Sequence, residues 1–119
     1  MNSIIIFTHD KFLTMALNGL LSGLVDTKCY SYNSIEHYLF QVEEMAPILL
    51  IVDDLLWGSL SLDICERFDS IIKRLKLKTV FLGNGKDQKP MPHMAKVIEK
   101  PTELLDLKKQ ILELIRSNE

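Results

Sequence analysis

The most restrictive feature of this sequence is a set of short apolar runs with no polar residue inside them. Residues 4–7 read IIIF, and residues 48–52 read ILLIV. Successive side chains of a strand point to opposite faces of the sheet, so strands of this composition are buried on both faces. A sheet that is covered on both faces is typically parallel and flanked by helices.

Stretches with helical apolar spacing separate these runs along the 119 residues. Strands are predicted at 4–7, 28–32, 48–52, 79–82 and 96–98, with helices after the first, second, third and fifth. The segment DDLLWGS, residues 53–59, is predicted to be a loop before the third helix. Strands that alternate with helices indicate repeated βαβ units. The predicted fold class is therefore α/β, with a five-stranded parallel sheet, helices on both faces and a single domain spanning residues 1–119.

The chain between the fourth and fifth predicted strands lacks helical periodicity. It reads GNGKDQKPMPHMA and contains two glycines and two prolines. Proline has no amide hydrogen, and it disfavours the helical conformation of the residue before it. The helix after the fourth strand is therefore predicted to be lost or reduced to a loop.

The charge composition argues against one class of function, the binding of nucleic acid. The formal net charge of -2 and the pI of about 5.9 do not favour direct binding of nucleic acid by this domain. A basic cluster falls where a predicted helix ends and complements the helix dipole there; it comprises Lys73, Arg74, Lys76 and Lys78.

The expected location is the cytoplasm, without a membrane anchor. The first apolar run is too short for a signal peptide or a membrane span. The two cysteines, Cys29 and Cys65, make neither a disulfide framework nor a metal-ligand spacing, so a reducing compartment is expected.

Polar side chains gather where the predicted strands end, which is where ligands bind in open parallel sheets. Thr8, His9 and Asp10 follow the first strand, Asp53 and Asp54 the third, Gly83 and Asn84 the fourth, and Glu99 and Lys100 the fifth. The sequence predicts one candidate pocket at this edge. Adjacent strand residues face opposite ways, so Asp53 and Asp54 are not expected to share one ligand position.

The order of elements, Asp53 at the end of the third strand and the Lys100-Pro101 pair after the fifth resemble the receiver domain of two-component response regulators. The segment IIIFTHDKFLTMALNGLL resembles the start of receivers fused to helix-turn-helix DNA-binding outputs. The resemblance implies a flavodoxin-like fold and Asp53 as the phosphate-accepting aspartate. It also implies that Lys100 contacts the phosphoryl group and that Pro101 is a cis proline.

The chain departs from the family pattern at four positions. The paired acids that hold Mg²⁺ in the family fall on Thr8 and His9, the hydroxyl residue after the fourth strand falls on Gly83, and the aromatic switch falls on Val97. Mg²⁺ prefers carboxylate and water oxygens, so a neutral hydroxyl and an imidazole weaken the site. Asp10 and Asp54 are the remaining nearby acids. No metal or cofactor is expected, and Mg²⁺ would be required only if Asp53 were a working acceptor.

Each candidate residue has a functional and a structural interpretation. Asp53 is either a nucleophile or the partner of Lys100 in an ion pair. His9 is either a proton-transfer or pH-sensing group, or a loop histidine bonded to a nearby carboxylate. Trp57 is either an anchor for a partner or a side chain that lies over its own domain.

The last predicted helix has an apolar band wider than one core-facing stripe requires, so part of it is expected to be exposed for association. The interface candidates are Leu104, Leu107, Ile111, Leu114 and Trp57.

The preferred interpretation is an atypical receiver-like domain, not an enzyme, that binds a protein partner or a second copy of itself without depending on phosphorylation. It would be the regulatory part of a bacterial transcription regulator or a stand-alone adaptor. The alternatives are a conventional receiver with Asp53 as acceptor, and a small α/β hydrolase or lyase that uses Asp53, His9 and Lys100.

Overall fold

The computed structural model describes residues 2–24, 26–83, 95–99 and 104–116, without the side chains of Glu99, Leu104 and Leu105. The strands are β1 (Asn2–Phe7), β2 (Thr27–Tyr32), β3 (Leu49–Asp53), β4 (Thr79–Gly83) and β5 (Lys96–Glu99). The α-helices are α1 (Lys11–Leu21), α2 (Leu39–Met45), α3 (Asp54–Gly58), α4 (Leu62–Leu75) and α5 (Leu104–Arg116), and a 3-10 turn (Glu36–Tyr38) precedes α2.

The five strands form one sheet in the order β2-β1-β3-β4-β5, and every neighbouring pair is parallel. The predicted α/β fold class is confirmed. The chain moves outward from β1 to β2 and then crosses back to β3 on the other side of β1. The carboxyl ends of β1 and β3 therefore flank the point where the strand order reverses, which is the usual ligand position in such sheets.

Two apolar clusters cover the two faces of the sheet and explain why the strands are apolar at every position. Ile5 of β1 belongs to the cluster under α2, α3 and α4, whereas Ile4 belongs to the cluster under α1 and α5. The same alternation holds along β3, where Leu50 faces one cluster and Leu49 the other. The prediction of helices on both faces is confirmed, and none of the described helices is long and apolar enough to cross a membrane.

Helix α4 begins and ends as its sequence indicates. The Ser61 hydroxyl accepts a hydrogen bond from the amide of Ile64 at 3.3 Å, which caps the first turn. Lys73 and Arg74 lie in the last turn, where cations complement the helix dipole, as predicted for the basic cluster. Ion pairs with Asp69 and Glu43 also hold these two side chains, so Lys73 and Arg74 belong to a solvated helix end.

The segments that follow β3 and β4 are both predicted from the sequence to be loops. The segment after Asp53 was expected to be a loop, and this is wrong, because residues 54–58 form α3. The Asp53 carboxylate caps this helix by accepting from the amide of Leu55, and such a cap stabilises a first helical turn. The predicted loss of the helix after β4 concerns residues 84–94, which lie outside the described part of the chain.

Helix α3 turns Trp57 into the core. Its indole is 1% exposed, with ring centroids 5.5 Å from Phe68 and 5.2 Å from Phe81. Of the two interpretations of Trp57, the structure supports the one in which the side chain lies on its own domain, because α3 directs the indole into the core and leaves almost none of it exposed to a partner. Among the described residues, the buried indole Nε1 has no hydrogen-bond partner.

Trp57→Phe should lower the free energy of unfolding by at most about 1.5 kcal/mol, since it removes an unpartnered polar atom and keeps an aromatic ring in place. Trp57→Ala should lower it by about 3–5 kcal/mol through the cavity that it leaves. Urea unfolding followed by circular dichroism measures both. Equal losses in the two variants would show that the indole nitrogen is satisfied.

Candidate functional site

Asp53 is the centre of the candidate site and is 4% exposed at the end of β3. The Thr8 hydroxyl donates a hydrogen bond to its Oδ2 at 2.8 Å, and the Leu55 amide donates to its Oδ1 at 3.1 Å. The parallel pairing of β1 with β3, in register at Phe7 and Val52, brings Thr8 beside Asp53. Two uncharged donors of the domain therefore contact the two oxygens of this buried carboxyl group.

Asp10 is held by the start of α1. Its Oδ1 accepts from the amides of Phe12 at 2.9 Å and Leu13 at 3.2 Å, which makes it the N-cap of that helix. Its own amide donates to the Thr8 hydroxyl at 3.0 Å, so Thr8 links the cap of α1 to Asp53. His9, between these two residues, is exposed to solvent.

Asp54 lies over the end of β4. A Cβ atom built on Gly83 would lie 2.6 Å from Oδ2 and 2.7 Å from Cγ of Asp54, which is far closer than nonbonded atoms approach. Asp53 thus contacts Thr8 after β1, whereas Asp54 contacts Gly83 on β4, on the other side of β3. The two adjacent carboxylates therefore lie against different neighbouring strands, as expected, but the cause is that Asp54 begins α3 and not the alternation of strand side chains.

The described residues do not fit a magnesium site. Around Asp53 they supply a neutral hydroxyl, and the nearby Asp10 carboxylate caps a helix. Within residues 2–24, 26–83, 95–99 and 104–116, no group of three or more His, Cys, Asp or Glu side chains is arranged to hold a metal ion. Mg²⁺ requires several oxygen ligands in near-octahedral geometry, and this donor set does not provide them.

Several predicted site residues lie outside the described part of the chain. They are Asn84, Lys100, Pro101 and the side chain of Glu99. The ion pair between Asp53 and Lys100 and the cis proline at position 101 therefore stay predictions.

The apolar side chains of α5 pack against the sheet of the same domain. Leu107 and Ile111 are buried in the cluster that covers one face of the sheet, and Leu114 is partly buried against it. The prediction that Leu107 and Ile111 form an exposed interface is wrong, because α5 packs these positions directly on the sheet. The side chain of Leu104, the remaining α5 residue in that prediction, is not described.

Large exposed apolar side chains occur instead near the candidate site. Phe12 in the first turn of α1 is 84% exposed, Met15 one turn later is 70% exposed, and Leu55 in α3 is 81% exposed. Helix α1 follows β1 and α3 follows β3, so Phe12 and Leu55 both lie at the carboxyl edge of the sheet.

A cavity of about 680 Å³ opens at the opposite edge, near the amino ends of β3, β4 and β5. Its wall includes Lys78, whose Nζ donates to the carbonyl of Leu114 at 2.8 Å near the end of α5. This lysine compensates a helix carboxyl end, and the cavity is remote from Asp53.

No protein-family model matches the chain, and no curated protein does either. Solved structures match it over nearly its whole length. The two-component transcriptional regulator AraC from Clostridium phytofermentans is 16% identical, with a TM-score of 0.72, and the match covers 98% of this chain and 93% of that one.

Two further solved structures are similar. The signal receiver domain of an HD domain-containing protein from Pseudomonas fluorescens is 14% identical, with a TM-score of 0.74, over 96% of this chain and 86% of that chain. The response regulator domain of Thermotoga maritima CheB is 15% identical, with a TM-score of 0.69, over 98% and 94%. The chain therefore has the flavodoxin-like fold of response-regulator receiver domains.

Sequence reasoning placed Thr8, Asp53, Asp54 and Gly83 at one edge but did not find their contacts. The hydrogen bond between Thr8 and Asp53 joins residues 45 positions apart. Two signals for the contacts were present in the sequence: a hydroxyl residue directly after the first strand, and a glycine at the end of the fourth. Neither signal specifies a partner until the strand order is known.

Thr8→Val should lower the free energy of unfolding by about 2 kcal/mol, because it removes a hydrogen-bond donor from a buried carboxyl group. Thr8→Ser keeps the hydroxyl and should lower it by about 1 kcal/mol through the lost methyl group. Urea unfolding of both variants provides the comparison. A larger loss in the serine variant would mean that the hydrogen bond contributes little.

Proposed function

We propose that this chain is a receiver-like signalling domain that acts by binding protein and does not depend on phosphorylation of Asp53. The observation that carries this proposal is the state of the Asp53 carboxyl group, which is buried and accepts hydrogen bonds from Thr8 and Leu55. The similarity to receiver folds supports a signalling role, and the site supports the loss of phosphorylation dependence.

The electrostatic argument concerns the transfer step. Transfer of a phosphoryl group to a carboxylate brings anions together and depends on a cation that neutralises them. A Thr8 hydroxyl at 2.8 Å from Asp53 contributes no negative charge to attract such a cation. The Asp10 carboxylate keeps its charge, but its Oδ1 is directed to the first turn of α1, where it accepts two amide hydrogen bonds.

The exposed side chains Phe12, Met15 and Leu55 support a protein-binding role. Large apolar side chains that stay exposed on a soluble domain favour association, and these residues lie on α1 and α3, on either side of the candidate site. The proposed partner is a protein or a second copy of this chain. As a receiver-like domain it would serve a transcription regulator or act as a free-standing adaptor in the cytoplasm, with no cofactor.

Incubation with acetyl phosphate and Mg²⁺ should add no phosphoryl group to the protein, because the site lacks the charge to hold the metal. Intact-mass spectrometry measures the product, with a conventional receiver domain in the same reaction as positive control. A gain of one phosphoryl group that is lost in Asp53→Asn would contradict the proposal and favour a conventional receiver.

The Phe12→Glu and Leu55→Glu variants should stay folded but associate less, since each places a charge in the proposed surface. Sedimentation equilibrium over a wide concentration range measures self-association. Phe40→Glu is the matched control, because Phe40 is also an exposed aromatic residue but lies on α2. A wild-type monomer at every concentration would contradict the homodimer, and equal losses in all three variants would contradict this surface.

A further inference from the structure

The close approach of Asp54 leaves no room for a side chain at Gly83. The φ angle of Gly83 lies outside the left-handed region, so its backbone conformation is open to any residue. The constraint comes from Asp54, whose Cβ, Cγ and Oδ2 atoms all lie within 2.7 Å of where a Cβ on Gly83 would stand. Since Cβ and Cγ lie close to the backbone of α3, a rotation of the carboxylate alone does not clear this space.

The same short helix is attached at two further points. Its first turn is capped by Asp53, and Trp57 inserts between Phe68 of α4 and Phe81 of β4. Trp57 is the only tryptophan in the chain. A displacement of α3 away from β4 would therefore also disturb the packing of Trp57 against Phe81.

We infer that the contact between Asp54 and Gly83 holds α3 in one position against the end of β4, so that packing keeps the site in a single arrangement. This inference rests on the proposed function. If packing alone fixes the position of α3, the site keeps its arrangement without phosphorylation of Asp53. The contact also sets where α3 presents the exposed Leu55.

The test is a set of glycine substitutions read by two methods. Gly83→Ala should lower the melting temperature by roughly 5–10 °C, as overpacking does in a domain of this size. It should also move the Trp57 emission to longer wavelength, because α3 is displaced and the indole meets water. Gly19→Ala is the matched control, since a Cβ at Gly19 in α1 meets no atom within 4 Å; it should leave the emission unchanged and should not lower the melting temperature, because alanine favours a helix interior.

Second-site variants identify the partner atom. Adding Asp54→Gly to Gly83→Ala should restore the emission and most of the melting temperature. Adding Asp54→Ala should restore less, because the Cβ of residue 54 is one of the atoms in contact. If Gly83→Ala alone does not fold, recovery of folding in the Asp54→Gly double variant supports the inference equally.

Three results would overturn the inference. They are a Gly83→Ala variant with unchanged emission, a failure of Asp54→Gly to rescue it, and equal rescue by Asp54→Ala and Asp54→Gly. Phosphorylation of the wild-type protein at Asp53 would instead contradict the proposed function and leave this contact unaffected. The proposed function and the inferred role of this contact can therefore be refuted independently.

Discussion

The candidate site depends on one buried interaction, the hydrogen bond from the Thr8 hydroxyl to the Asp53 carboxyl group. A buried carboxyl group needs donors, since an unpaired polar group in a protein interior is costly. Thr8 and the amide of Leu55 supply them from β1 and α3. The same hydroxyl accepts from the Asp10 amide, so the ends of β1 and β3 and the start of α1 form one connected network.

The strand order and the side chains at the strand ends contribute separately to the site. The sheet order brings the residues after β1 and β3 together whatever their identity, because β1 and β3 are neighbouring parallel strands. The chemistry depends on which side chains stand there. The Thr8 hydroxyl keeps Asp53 hydrogen-bonded and adds no negative charge beside it, and Asp54 packs over Gly83 on the neighbouring strand.

The exposed apolar side chains that could bind a partner are not those that the sequence indicates. Leu107 and Ile111 have the spacing of an interface but are needed to cover the sheet, so their apolar character is used within the domain. Phe12 and Leu55 lie on the outer sides of α1 and α3 and are not needed for the core. Part of the apolar surface available to a partner therefore lies near the site.

The sequence by itself determined the parallel sheet, the helices on both faces and the set of polar residues at its carboxyl edge, because apolar periodicity is a local property and strand ends follow from it. Only the tertiary structure decided that Thr8 bonds to Asp53, that Asp54 covers Gly83, and that Trp57 is buried. These outcomes depend on which strands are neighbours and on whether residues 54–58 coil into a helix. Contacts between residues distant in sequence settle both, and no local pattern encodes them.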